Sequence, residues 1–111
     1  MLDARARFVS ERLASAAKEL LREKLDGVVL YGSYARGDFD KESDVDILVR
    51  INCDKTQLSY FRDLFCPTAS RLSLDYGVTV SVAVADRDSF NRYKTVLPFY
   101  RNIEREGIAI A

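Results

Sequence analysis

Histidine is absent from this sequence, and cysteine occurs only twice, at Cys53 and Cys66, without CxxC spacing. These absences remove every catalytic dyad built on an imidazole and zinc sites of the ordinary kind. Both thiols read as buried or half-buried small apolar groups without a role. Excess charge of either sign is also missing: 17 Lys and Arg face 17 Asp and Glu, so no global field draws the chain onto nucleic acid or an anionic membrane. Partners must be recognised locally, with no membrane and no direct nucleic-acid binding expected. No long hydrophobic run is present. The N-terminal "MLDARARFVSERL" alternates charge with hydrophobe where a signal peptide would carry its apolar core, which predicts a cytoplasmic protein.

What is present suits one folded domain over residues 1–111, since 48% hydrophobic and 31% charged residues are ordinary globular proportions. Apolar residues at Ala6, Val9, Leu13, Ala16, Ala17, Leu20, Leu21 and Leu25 make one helical stripe, which Asp26 and Gly27 are expected to stop. "VVLYG" then reads as a short buried strand. Ser33 is a good N-cap for a single helical turn through Arg36, and "DFDKES" is a polar loop. In "DVDILVR", Val45, Ile47 and Val49 share one face, while Asp44, Asp46, Leu48 and Arg50 share the other. A helix with Leu58, Phe61, Leu64 and Phe65 on one face follows, kinked or split by Pro67. "VTVSVAV" is a third strand, burying Val78, Val80, Val82 and Val84. Asp86 caps a helix through about Val96, Pro98 opens another that Gly107 closes, and the apolar tail "IAIA" is exposed by position. The order predicts a small α/β or α+β domain around a sheet of three or four strands.

Two aspartates inside an apolar strand require a reason. Carboxylates two residues apart on a strand point the same way at roughly 6 to 7 Å, so Asp44 and Asp46 repel unless a cation lies between them or water covers them. Mg²⁺ suits this arrangement: it is a hard ion that takes one or two carboxylates and completes its shell with water and phosphate oxygens. Gly32 and Ser33 offer a phosphate partner at a strand end, with close backbone approach, a hydroxyl and free N–H donors. Gly37 lets the loop turn away. A solvated acidic turn accounts for each feature alone, but Gly-Ser, ten residues and Asp-x-Asp form a long compound pattern.

The stretch "GSYARGDFDKESDVDILV" resembles the GSx10DxD signature of the DNA polymerase β-like nucleotidyltransferase superfamily. The length and the ending "PFYRNIEREGI" resemble its minimal nucleotidyltransferases (MNT), which are encoded beside HEPN-domain partners. The resemblance implies a minimal nucleotidyltransferase fold, a small mixed sheet packed with helices. It implies that Asp44 and Asp46 are catalytic, bind Mg²⁺ and position ATP for attack on its α-phosphorus, and that Gly32 and Ser33 contact the β- and γ-phosphates. It also implies an antitoxin in a hetero-oligomer with a HEPN ribonuclease toxin, silenced by AMP on a tyrosine.

The superfamily pattern places a third carboxylate on the next strand, but here the position that lines up best by distance from Gly77 holds Thr79. Asp75 would serve if the strand began early, and Asp86 and Asp88 read better as helix-capping residues. An antitoxin that binds and occludes its partner without chemistry is therefore the alternative. Transfer to a small molecule such as an aminoglycoside fits less well, because 111 residues leave no second domain for an acceptor pocket. Arg36 reads as a phosphate contact or a solvated side chain. Tyr60, Phe61, Phe65, Tyr93, Phe99 and Tyr100 read mostly as core, with a minority near the C-terminal segment available to a partner.

Overall fold

The computed structural model describes residues 2–111. Helix α1 (Ala4–Leu21) begins at Asp3, whose carboxylate accepts from the Ala6 N–H at 3.1 Å, and it buries Ala6, Val9, Leu13, Ala14, Ala17 and Leu21. It ends earlier than the stripe predicts. Arg22 adopts φ 52°, and a short 3₁₀ turn (Arg22–Lys24) leads into strand β1 (Leu25–Tyr31), so Asp26 and Gly27 lie in the strand rather than stopping the helix. The reason stands on strand β2 (Val45–Ile51): Arg50 pairs with Asp26 at 3.1 Å, and its guanidinium occupies the space a Cβ on Gly27 would need.

Helix α2 (Ser33–Arg36) is the expected single turn, although Gly32 and not Ser33 is its N-cap residue. Helix α3 (Leu58–Tyr76) follows a 3₁₀ turn whose capping box joins Asp54 and Gln57, and it runs unsplit through Pro67. Gly77 ends it in the left-handed conformation, φ 64°. Strand β3 (Val80–Asp86) starts two residues later than "VTVSVAV" suggests, but with the expected parity, since Val80, Val82 and Val84 all pack toward α1 and α3. Asp86 caps helix α4 (Arg87–Tyr93) by accepting from the Ser89 N–H at 3.0 Å. Helix α4 stops short of Val96 because Pro98 opens helix α5 (Pro98–Glu106) and disfavours helical geometry just before it.

Among the described residues the sheet has four strands in the order β3-β2-β1-β4, a mixed sheet in an α+β domain. β2 is antiparallel to β1 and parallel to β3, while strand β4 (Ile108–Ala109) is antiparallel to β1. The tail is thus a strand and not an exposed end. Ile108 and Ile110 pack against the core, and β1 gains a neighbour that covers its free edge.

The faces of the sheet are covered unequally. One face carries Val28, Leu30, Val45, Ile47, Val49 and Ile51, buried beneath α1 and α3. The other has a smaller cluster of Val29, Leu48 and Ala85 under Phe90 of α4 and Ile103 of α5. Arg50 adds to that cover by lying 5.2 Å from the Phe90 ring centre. No helix among the described residues is long and apolar enough to cross a membrane.

Candidate active site

The less covered face is a ladder of registered rows. Gly27, Arg50 and Ala85 form one row, Val29, Leu48 and Ala83 the next, and Tyr31, Asp46 and Ser81 the third. The first two rows lie with α4 and α5. The third lies at the edge of the small apolar cluster, against which Tyr31 packs, and there Asp46 stays half-buried and Ser81 exposed. Asp44 falls one residue ahead of β2, not within it, and is exposed. The β3 side continues past the strand end, where the Val45 N–H donates to the Thr79 carbonyl at 2.8 Å.

Gly32 is placed against Asp46 by its backbone. It has φ 77° and ψ −158°, a conformation essentially confined to glycine, and a Cβ there would run into Asp46 Oδ2. Ser33 follows as the first residue of α2, so the Gly-Ser pair and the Asp-x-Asp pair meet at one end of the sheet. Gly37 ends α2 at φ 89° with open space around it, as a loop turning away requires. The loop is organised by Asp40, which accepts from the Glu42 N–H at 2.9 Å and from the Ser43 hydroxyl at 3.3 Å.

Two contacts fix α2. Tyr34 is buried, its hydroxyl accepts from Arg5 of α1 at 3.3 Å, and its ring stacks on Phe39 at 4.4 Å. Arg36 pairs with Asp38 at 3.2 Å and with Glu106 at the end of α5 at 3.1 Å. It is neither a bare phosphate ligand nor a solvated side chain without partners. Burial raises the pKa of Asp46, the neighbouring Asp44 raises it further, and Arg36 opposes both. Tyr31, the row neighbour of Asp46, is pushed up to about 12 by burial and by the Asp46 charge. Its ring meets Phe99 edge-on at 5.6 Å.

The donors fit a magnesium ion: carboxylate oxygens of two residues, one of them half-buried and disfavoured as a bare anion beside the other. The candidates for a third carboxylate sort differently. Asp75 is on α3, across the sheet, and pairs with Arg71 at 3.5 Å, so it is outside the site. Thr79 lies next to Asp44 but ahead of β3, and the residue in register with Asp46 is Ser81. Among the described residues no three His, Cys, Asp or Glu side chains gather as a metal cluster.

Tyr31 and Ser81 are the site residues that sequence reasoning left without a role. Tyr31 could have been found as the residue that leads directly into Gly32, whereas the register of Ser81 needs the folded sheet. The aromatics divide more evenly than helical spacing suggests: Phe61 and Phe65 are buried, but Tyr60, Tyr93 and Phe99 are 65%, 39% and 48% exposed. Cys53 is half-buried, its thiol pushed up chiefly by burial, and Cys66 is exposed rather than buried.

With this geometry in place, the comparisons with known proteins are decisive on one point. The nucleotidyltransferase domain family matches residues 10–110. The chain belongs to that family. It is 36% identical over 97 residues to one candidate protein adenylyltransferase of Methanocaldococcus jannaschii, covering 87% of this chain and 89% of that protein. It is 45% identical over 93 residues to a second from the same organism, covering 82% of this chain and 84% of the relative. A crystal structure of a toxin–antitoxin with AMP-PNP shares the fold, with a TM-score of 0.56 and 19% identity over 91% of this chain and 72% of the other. The chain is therefore a nucleotidyltransferase, and the polymerase β-like resemblance of "GSYARGDFDKESDVDILV" holds at the level of family and fold.

Proposed function

We propose that this nucleotidyltransferase moves AMP from ATP to a tyrosine hydroxyl on a partner toxin, a HEPN ribonuclease, and so neutralises it as an antitoxin in the cytoplasm. The observation that carries this reading is the contact of Gly32 with Asp46, which brings the Gly-Ser turn and the two carboxylates into one site. The similarity to candidate protein adenylyltransferases supports a protein acceptor, and the fold shared with a toxin–antitoxin supports a toxin as that protein.

Asp44 and Asp46 would hold Mg²⁺, which when bound supplies positive charge to the phosphoryl oxygens. Gly32, lacking a side chain, lets the Asp46 carboxylate come up against the start of α2, where the Ser33 hydroxyl would donate to the β- and γ-phosphates. Tyr34 and Arg36 keep that turn in place. The acceptor oxygen forms its bond to the α-phosphorus as the bond to pyrophosphate breaks in line, and the acceptor proton passes to solvent. Positioning is most of what this chemistry asks of a protein, so the lack of histidine is no obstacle. An open site suits a macromolecular acceptor. The neighbouring corner exposes Tyr93, Val96, Leu97 and Phe99 together, with Phe99 touching Tyr31 of the site row.

The test is to combine the chain with a HEPN ribonuclease toxin, taken from a neighbouring reading frame where one is found, with ATP and Mg²⁺, and to read intact mass. Addition of AMP to a toxin tyrosine is the expected result, and a folded toxin that stays unmodified would defeat the enzymatic reading. A second reading, neutralisation by occlusion, is favoured by one observation, the hydroxyl of Ser81 in the row where a third carboxylate would serve. Asp44→Asn with Asp46→Asn separates the two, because an occluding antitoxin still protects cells after its carboxylates are removed.

A further inference from the structure

We infer that this site holds one divalent cation during catalysis, not a pair, and that Ser81 is the residue that sets the number. The inference rests on the proposed role of Asp44 and Asp46 as metal ligands. Two-metal phosphoryl transfer places ions about 3.5–4 Å apart, each with its own charged ligands and commonly a shared one. A second ion beside Asp46 would draw on its neighbours across the sheet, which stand about 4.7–4.9 Å away along the row. Those neighbours are Tyr31 on β1 and Ser81 on β3. Both bring neutral hydroxyls, weak ligands for a hard dication beside carboxylates.

Among the described residues, the other acidic groups on the surrounding elements are committed or turned elsewhere, and Glu42, which has no side-chain partner, lines a hollow with Ser73, Leu74 and Gly77 at the end of α3. Asp38 and Glu106 are both committed to Arg36, at 3.2 and 3.1 Å. Asp40 accepts from Glu42 and Ser43 within its own loop. Asp86 caps α4 from the opposite end of β3. On the remaining side, Gly32 has no side chain to offer as a ligand.

Manganese counts the ions directly. The full chain with a non-hydrolysable ATP analogue is titrated with Mn²⁺, and bound metal is followed by EPR and calorimetry. One Mn²⁺ per chain without spin–spin coupling is expected, and Ser81→Ala should keep both that number and its affinity. Ser81→Asp, shown to be folded by circular dichroism, should take up a second, coupled Mn²⁺. Two ions on the parent chain, or loss of the ion in Ser81→Ala, would overturn the inference. A folded Ser81→Asp that still binds one ion would show that Ser81 does not set the number. Failure of the underlying site reading looks different: Asp46→Asn would then bind Mn²⁺ as well as the parent does.

Discussion

Gly32→Ala tests whether the phosphate turn and the acidic pair form one site. At φ 77° and ψ −158° an alanine is strained by about 1–3 kcal/mol, and its Cβ meets Asp46 Oδ2, so the carboxylate must also leave its rotamer at about 0.5–1.5 kcal/mol. Together these effects cost about 1.5–4.5 kcal/mol, which in a domain of this size lowers the melting temperature by on the order of 10 °C. Gly37→Ala is the control. It has the same kind of positive φ, 89°, but open space around the added methyl, so only backbone strain of about 1–2 kcal/mol applies. The two variants should separate further on adding Mg²⁺ with a non-hydrolysable ATP analogue. At a hundred times its Kd a ligand stabilises the native state by about 2.7 kcal/mol, so the parent and Gly37→Ala should each gain roughly 10 °C. Gly32→Ala should gain little, since its displaced Asp46 no longer meets the ion. Thermal melts by circular dichroism, with and without metal and nucleotide, read both effects. Equal melting temperatures and equal ligand shifts for the two variants would refute the argument.

Asp46→Asn should stabilise the metal-free protein at neutral pH while abolishing the gain from Mg²⁺. The folded-state pKa of Asp46 is raised, so the unfolded chain ionises first and stability falls as pH rises through that raised value, a slope that urea melts should show in the parent and not in the variant. Tyr31 behaves likewise at higher pH: its proton is held to about 12, so the fold loses stability between about 10 and about 12, and Tyr31→Phe should remove the most alkaline step from a phenolate absorbance titration. Deleting residues 108–111 removes the strand that pairs with β1 and the packing of Ile108 and Ile110. A loss of about 2–4 kcal/mol in urea unfolding is expected, with self-association through the uncovered edge visible by sedimentation, and an unchanged midpoint would show that the tail is not a working strand.

The residues that build this site were legible to different depths, for physical reasons. Gly32, Ser33, Asp44 and Asp46 announce themselves because the chemistry needs them at fixed spacing along one hairpin-like stretch, and alternation along "VTVSVAV" leaves Thr79 and Ser81 opposite the valines, on their face. Parity cannot choose between those two, because both satisfy a period of two. The choice comes from register, set when the Val45 N–H reaches the Thr79 carbonyl and Asp46 falls beside Ser81. The end of α1 was misplaced for a related reason: Leu25 suits both a helical stripe and a buried strand, and the deciding partner, Arg50 on Asp26, lies 24 positions away. The tail shows the same limit. "IAIA" carries no signal of pairing until β1 offers an open edge.

The electrostatics of the site follow from what covers the sheet. Phe90 and Ile103 close the second face over Leu48 and Val29, and the rows beyond them are left for polar groups. Asp46 is consequently half-buried, which makes its charge unfavourable without a partner and a cation correspondingly effective beside it. The carboxylate cannot relieve this by swinging toward the turn unless Gly32 moves, and the turn is held from two sides, by Tyr34 on Arg5 of α1 and by Arg36 on Glu106 of α5. Each tie alone is modest, since an exposed ion pair contributes less than about 1 kcal/mol and a single hydrogen bond about 1 kcal/mol. Acting on one four-residue helix, they oppose its rotation in different directions, and the acidic pair is held ready for a cation at a cost in stability that binding reverses.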